Sequence, residues 1–169
     1  MLLNNDSRMI DVIKVASYLM ERYRNEIGKT IDEMKLHKLL YLSQRESIIR
    51  TDMPMFEAAF AAWKYGPVIE EIRRQYRANA LNIIPTEEEL LPYKDSLDYI
   101  FENYARKDSW TLSILTHGES SWQKARKGYA QDAHCDVLID INDIREDAKR
   151  IKMRRFFFEE IAPKLEEHN

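Results

Sequence analysis

Three groups of residues have the types and spacings that chemistry or recognition requires. His117 and Glu119 stand two apart, and with Lys35 they are conceivable acid–base groups. Residues two apart do not face each other on a helix. No His-Glu-x-x-His pattern or second ligand set accompanies them, so His117 is expected to meet the last carbonyls of a helix end or the cap that follows. His134 and Cys135 are adjacent, and a metal there would need further ligands that the sequence does not advertise. No catalytic residue, metal or cofactor is therefore assigned. The third group is basic: Lys149, Arg150, Lys152, Arg154 and Arg155 fall within one short run, followed by Phe156, Phe157 and Phe158. Arg150, Arg154 and Arg155 are the candidates for contact with phosphates or an acidic partner. Cations near a helix C-terminus also complement its dipole, which is the plainer reading. Consecutive helical residues point about 100° apart, so the three phenylalanines cannot all face one core; Phe156 and Phe157 are candidates for a partner or dimer contact.

These groups need elements to hold them. Punctuation, aromatic rings and the chain's one Gly-Pro pair coincide in Ala58 to Tyr76. Ala59 to Trp63 suits a short extended segment before a breaker, Gly66 supplies the freedom to turn, and Pro67 suits the first position of a following helix, where a missing N–H is no loss. Val68, Ile69, Ile72 and Tyr76 then keep a helical stripe. Trp63, Tyr65 and Trp122 read either as anchors for a partner or as packed core rings.

Before this block, Ser7 is the expected cap of a helix with a stripe from Met9 to Tyr23. Thr30 and Glu33 have capping-box spacing for a second helix reaching about Arg50, with Leu36, Leu39, Leu40 and Ser43 inward. Met53, Met55 and Phe56 are apolar for a loop and are expected to fold back on the core. After it, helices are expected over Tyr93 to Arg106, from a Ser109 cap to Gly118 with Trp110, Leu112, Ile114 and Leu115 on the apolar side, and over a short unit carrying Trp122 that closes at Gly128. Asp140 or Asn142 is expected to cap a last helix. Glu70, Glu71 and Glu87 to Glu89 read as solvated faces or as an acidic surface for a basic partner.

Composition narrows the classes. Formal net charge is −3 from 26 basic and 29 acidic residues, so no global field draws in a polyanion. One cysteine among 169 residues leaves no internal disulfide framework and suits a reducing compartment. Four glycines and five prolines disfavour a turn-rich β architecture. Met1 to Asp6 lacks the pattern of a signal peptide and no apolar run reaches the roughly 20 residues of a membrane span. The expectation is one mainly α, cytoplasmic domain of about six or seven helices with a small β element before the Trp-x-Tyr-Gly-Pro turn.

Three separated stretches, KLHKLLYLSQ (35–44), AAWKYGPVIEEI (61–72) and LSILTHGESSWQKAR (112–126), occur in an order that resembles the Panacea domain, the SocA-like antitoxin family that also includes phage-associated GepA-type proteins. His37 stands where the family pattern usually has Gln, and Ser121 where it often has Pro. The resemblance spans about 1–128; 129–169 is read on its own as a helical extension packed on the same domain. It implies an antitoxin that binds and neutralises a cognate protein toxin without catalysis, in some members by presenting it to a cellular protease. It also carries over Trp63, Tyr65, Gly66, Pro67, His117 and Trp122 as partner-binding positions. A homodimer is a further expectation. The rival classes are a nucleic-acid-binding regulator using the C-terminal basic helix, an enzyme using His117, Glu119 and Lys35, and a phage-associated interaction protein.

Overall fold

Every residue from Lys35 to Ile49 is buried. These fifteen positions belong to α2 (Glu33–Thr51), which a computed structural model describing residues 9–166 places at the centre of the molecule. A helix covered on all sides needs neighbours on all sides. They are α1 (Val12–Ile27), the hairpin strand β2 (Gly66–Val68, paired with β1, Ala61–Trp63), α3 (Glu70–Arg77), α5 (Lys94–Tyr104), α6 (Ser109–His117) and α8 (Ile141–Phe156). α4 (Glu87–Leu90) and α7 (Ser120–Ala125) fill the connections, and a π-turn (Phe157–Ile161) leads into α9 (Ala162–Glu166). The fold is mainly α with one two-stranded sheet. Each helix expected from the sequence is present, and α4 and α9 are added to them.

Aspartates cap the starts of α1, α2, α6 and α8. The expected Ser7 cap lies outside the described residues; α1 begins after Asp11, whose side chain accepts from the Ile13 N–H at 2.8 Å. Asp32 accepts from the Lys35 N–H at 2.8 Å and caps α2, so Thr30 and Glu33 do not form the capping box their spacing suggests. With Ile31 buried, the helix starts two residues later than Thr30 would set it, and Asp32 stands where a carboxylate can accept from the first free N–H groups. Asp108, rather than Ser109, caps α6 by accepting from the Thr111 N–H; Asp140 caps α8 as expected.

Because α2 is buried on all sides, it buries charge as well as leucines. Lys35 Nζ donates to the Tyr23 hydroxyl (3.0 Å) and the Ala105 carbonyl (3.2 Å). Arg45 contacts the Glu119 carboxylate directly. Glu46, fully buried, accepts from Arg50 at 2.9 Å and from both terminal nitrogens of Arg155 at 2.9 and 3.0 Å. Each of these three buried groups has hydrogen-bonding partners that offset its loss of water.

The hairpin differs from expectation at Pro67, which does not open a helix but sits in β2 opposite Ala62. Ala62 turns its N–H away from β2, to Val137 O at 2.9 Å. The Ala62–Pro67 pair is therefore a non-hydrogen-bonded one, where a residue without an N–H loses nothing. Segment 137–139 lies along the outer side of β1, with Ile139 N–H donating to Phe60 O at 2.8 Å. Met55 and Phe56 fold back into the core as expected, while Met53 stays exposed.

Candidate partner-binding site

α6 carries the largest departure from the apolar pattern. Its inward face is Leu112, Ser113 and Thr116, whereas Trp110 (58% exposed), Ile114 (57%) and Leu115 (41%) face outward. The cause is the hairpin. Gly66 has φ +110° and packs so closely that a Cβ there would lie 2.6 Å from Thr116 Oγ1 and 2.7 Å from Lys38 Cε. The small side chains of Ser113 and Thr116 face that turn, and Ser113 Oγ donates to Tyr65 O at 2.9 Å to fix it. The bulky residues of α6 are left in water, where the exposed Tyr65 ring lies 6.1 Å from that of Trp110.

Beside this apolar surface opens a cavity of about 590 Å³ between the start of α2, the hairpin and α3. Trp63, Tyr65, Met34 and Val68 give it apolar walls; His37 and Lys38 lie in its lining. Arg73 lies 4.8 Å over the Trp63 ring, and the Trp63 indole N–H donates to Asp136 at 3.0 Å. Arg73 and Arg77 both reach Glu33, at 3.2 and 3.3 Å. Burial, helped by Lys38 and Arg73, holds His37 neutral down to about pH 3. Burial also lowers the Lys38 ammonium to about 7, against the pull of Asp32 and Glu33.

Most of the residues carried over from the motifs meet here. Trp63 is half-buried and Tyr65 exposed at the hairpin tip, while Gly66 and Pro67 are buried beneath them. Trp122 is buried, its indole N–H donating to Trp63 O at 3.0 Å, and His117 stacks flat on it at 4.3 Å instead of closing its helix end. Burial lowers the pKa of His117. These buried groups build the frame; Trp63 and Tyr65 present the surface. Trp110, Ile114, His37 and Lys38 were not singled out as site residues in the sequence, because a helical stripe of apolar residues reads as core.

A profile of the SocA-like antitoxin family, Panacea domain, matches residues 36–123, which includes His37, Lys38, the hairpin, α3 and α6. The chain belongs to that family. Antitoxin SocA of Caulobacter vibrioides (strain NA1000 / CB15N) is 30% identical over 77 residues, or 46% of this chain and 40% of that protein. The match thus spans well under half of this curated relative. No solved structure matches the chain.

The remaining candidates lie elsewhere in this Panacea-domain protein. Phe156, Phe157 and Phe158 are all exposed on the C-terminal turn, and none lines the cavity. Arg150 pairs with Asp147 and lies 2.5 Å from Ser120 Oγ; Arg155 holds buried Glu46; Arg154 is exposed. Two of the three arginines offered for phosphate contact therefore already serve carboxylates. Arg155→Ala should lower stability by about 2 kcal/mol in urea unfolding, because Glu46 keeps only Arg50; an unchanged midpoint would place Arg155 on a free basic surface.

Lys35, His117 and Glu119, the acid–base set of the enzyme alternative, engage separate partners and none of them lines this cavity. Among the described residues, no group of three or more His, Cys, Asp and Glu is placed to hold a metal, and no helix is long and apolar enough to cross a membrane.

Proposed function

We propose that this chain is a cytoplasmic antitoxin that neutralises a cognate protein toxin by direct, stoichiometric binding and without catalysis. The observation that carries the reading is the outward face of α6. Trp110, Ile114 and Leu115 with Tyr65 expose apolar surface that water covers at a free-energy cost, and Tyr65 also lines the cavity that carries the charged Lys64, Arg73, Arg77, Asp32 and Glu33. Apolar centres with charged rims suit protein partners, the centre supplying affinity and the rim setting orientation and encounter rate. Membership of an antitoxin family makes a toxin the partner of choice.

Delivery of the toxin to a cellular protease, or pairing of two copies of the chain, would use a second surface. Exposed Phe156, Phe157 and Phe158 with Met153 and Ile161 supply one.

Expressing the open reading frames that flank the gene one at a time should find one that is toxic alone and harmless together with this chain, and pull-down should recover that pair. The double variant Trp110→Ala, Ile114→Ala should weaken that complex by at least about ten-fold. Its thermal midpoint should stay near the parent's, since both side chains are exposed. Full rescue and unchanged capture by this variant would remove α6 from the interface.

A further inference from the structure

The cavity beside α6 contains hydrogen-bond donors that the fold leaves unmet. His37 is 2% exposed, and its Nδ1 accepts from the Ile69 N–H at 3.3 Å. The neutral ring therefore carries its proton on Nε2, which has no partner among the described residues; Glu33 Oε1 is 4.0 Å away. Lys38, 1% exposed, makes one long contact from Nζ, 3.4 Å to Pro67 O, although an ammonium offers three N–H groups. The acceptors nearby are engaged: Asp32 by the Lys35 N–H and Ser109 Oγ, and Glu33 by Arg73 and Arg77. Lys38, Lys64, Arg73 and Arg77 outnumber Asp32 and Glu33 around the cavity, in a chain whose net charge is −3. The lining is thus an acceptor-poor, locally cationic pocket with apolar walls.

We propose that this cavity is the receptor for one carboxylate of the partner protein, a Glu or Asp side chain or a C-terminus, with its apolar stem against Trp63 and Tyr65. The proposal rests on the toxin-binding reading and names the chemistry that the toxin must present. Charge sets the choice of anion. Glu33 stands at the cavity wall and repels a dianion more than a monoanion, and a carboxylate's two oxygens match the two buried donors, His37 Nε2–H and Lys38 Nζ. Burial leaves such donors costly while empty, and that cost is relieved only when an acceptor arrives.

A proton accompanies the step. Around Lys38 stand Asp32, Glu33 and His37 from the start of α2, Arg73 and Arg77 from α3, Lys64 from the hairpin and His134 in the cavity lining, with His117 of α6 near enough for Lys38 to act on its charge. With its ordinary value lowered to about 7, Lys38 is partly neutral at pH 7 and becomes more so above it. A carboxylate favours the charged form, so binding takes up a proton and affinity falls as pH rises from 7 to 9, on the order of ten-fold or more.

The test uses the full chain and small probes, independent of the toxin: N-acetyl-phenylalanine, its C-terminal amide and inorganic phosphate, each followed through the Trp63 indole N–H resonance. The carboxylate should give a saturable shift that weakens by pH 9, the amide none, and phosphate only a weaker one. Lys38→Met should abolish the shift while keeping or raising the thermal midpoint. The same variant should lose capture of the co-expressed toxin. Equal shifts with acid and amide, an unaltered titration in Lys38→Met, or tighter binding of phosphate would each overturn the proposal. Loss of the probe with toxin capture intact would overturn the protein source of the carboxylate while leaving toxin binding standing. Loss of toxin capture in the α6 double variant, with the probe still bound, tests the other reading separately.

Discussion

Glu119→Ala should cost about 3 to 5 kcal/mol of folding stability, read as a lowered urea midpoint at unchanged slope. Glu119 and Arg45 are 9% and 5% exposed and in direct contact. Arginine does not give up its proton, so removing the carboxylate strands a cation inside the protein. What remains to it is a 3.5 Å approach to the Tyr104 hydroxyl, and its Nε already has no partner among the described residues. Burial raises the Glu119 carboxyl above its usual range even with Arg45 acting against it, so the pair is expensive to keep as well as expensive to break. The double replacement Arg45→Met, Glu119→Leu should therefore recover most of the loss, as buried ion pairs often do when exchanged for apolar residues of similar size. A single-variant loss below about 1 kcal/mol would mean that water reaches Arg45.

Gly66→Ala should cost about 2 to 5 kcal/mol, combining a backbone angle that side chains resist with overpacking. At φ +110° the new Cβ would lie 2.6 Å from Thr116 Oγ1, which is itself held by a bond to Ser113 O, and 2.7 Å from Lys38 Cε. Gly28→Ala is the natural control. Gly28 also has positive φ, +78°, but nothing lies within 4 Å of its Cβ position, so only the conformational cost of about 1 kcal/mol applies. The difference between the two midpoints isolates the close approach of hairpin to α2 and α6. Equal losses would show that the hairpin gives way without strain.

Helical stripes, the small β element and the order of the three motifs were readable from residue spacing. What escaped did so for identifiable reasons. Pro67 suits a helix start and a non-hydrogen-bonded strand position equally, because both leave its nitrogen without a donor's duty. The side of α6 that faces inward was decided by Gly66, far away in sequence, which demands Ser113 and Thr116 against it and turns Trp110 and Ile114 out. His37 and Lys38 lie beside the inward leucines of α2, and only the enclosure of α2 by six neighbouring elements makes them buried donors. The pairing of Arg155 with Glu46, 109 positions apart, has no local trace at all.

The interlocking of the C-terminal segment bears on how the domain travels between proteins. The matched stretch ends at residue 123, yet β1 donates a hydrogen bond to Val137 beyond it, Arg126 ties the Ala62 carbonyl to those of Ala130, Gln131 and Ala133, Asp147 caps α7, and Arg155 neutralises Glu46. A fusion or chimaera cut at the edge of sequence similarity would carry open seams on three sides. Transplanting this recognition unit onto another protein requires the donor chain through Arg155.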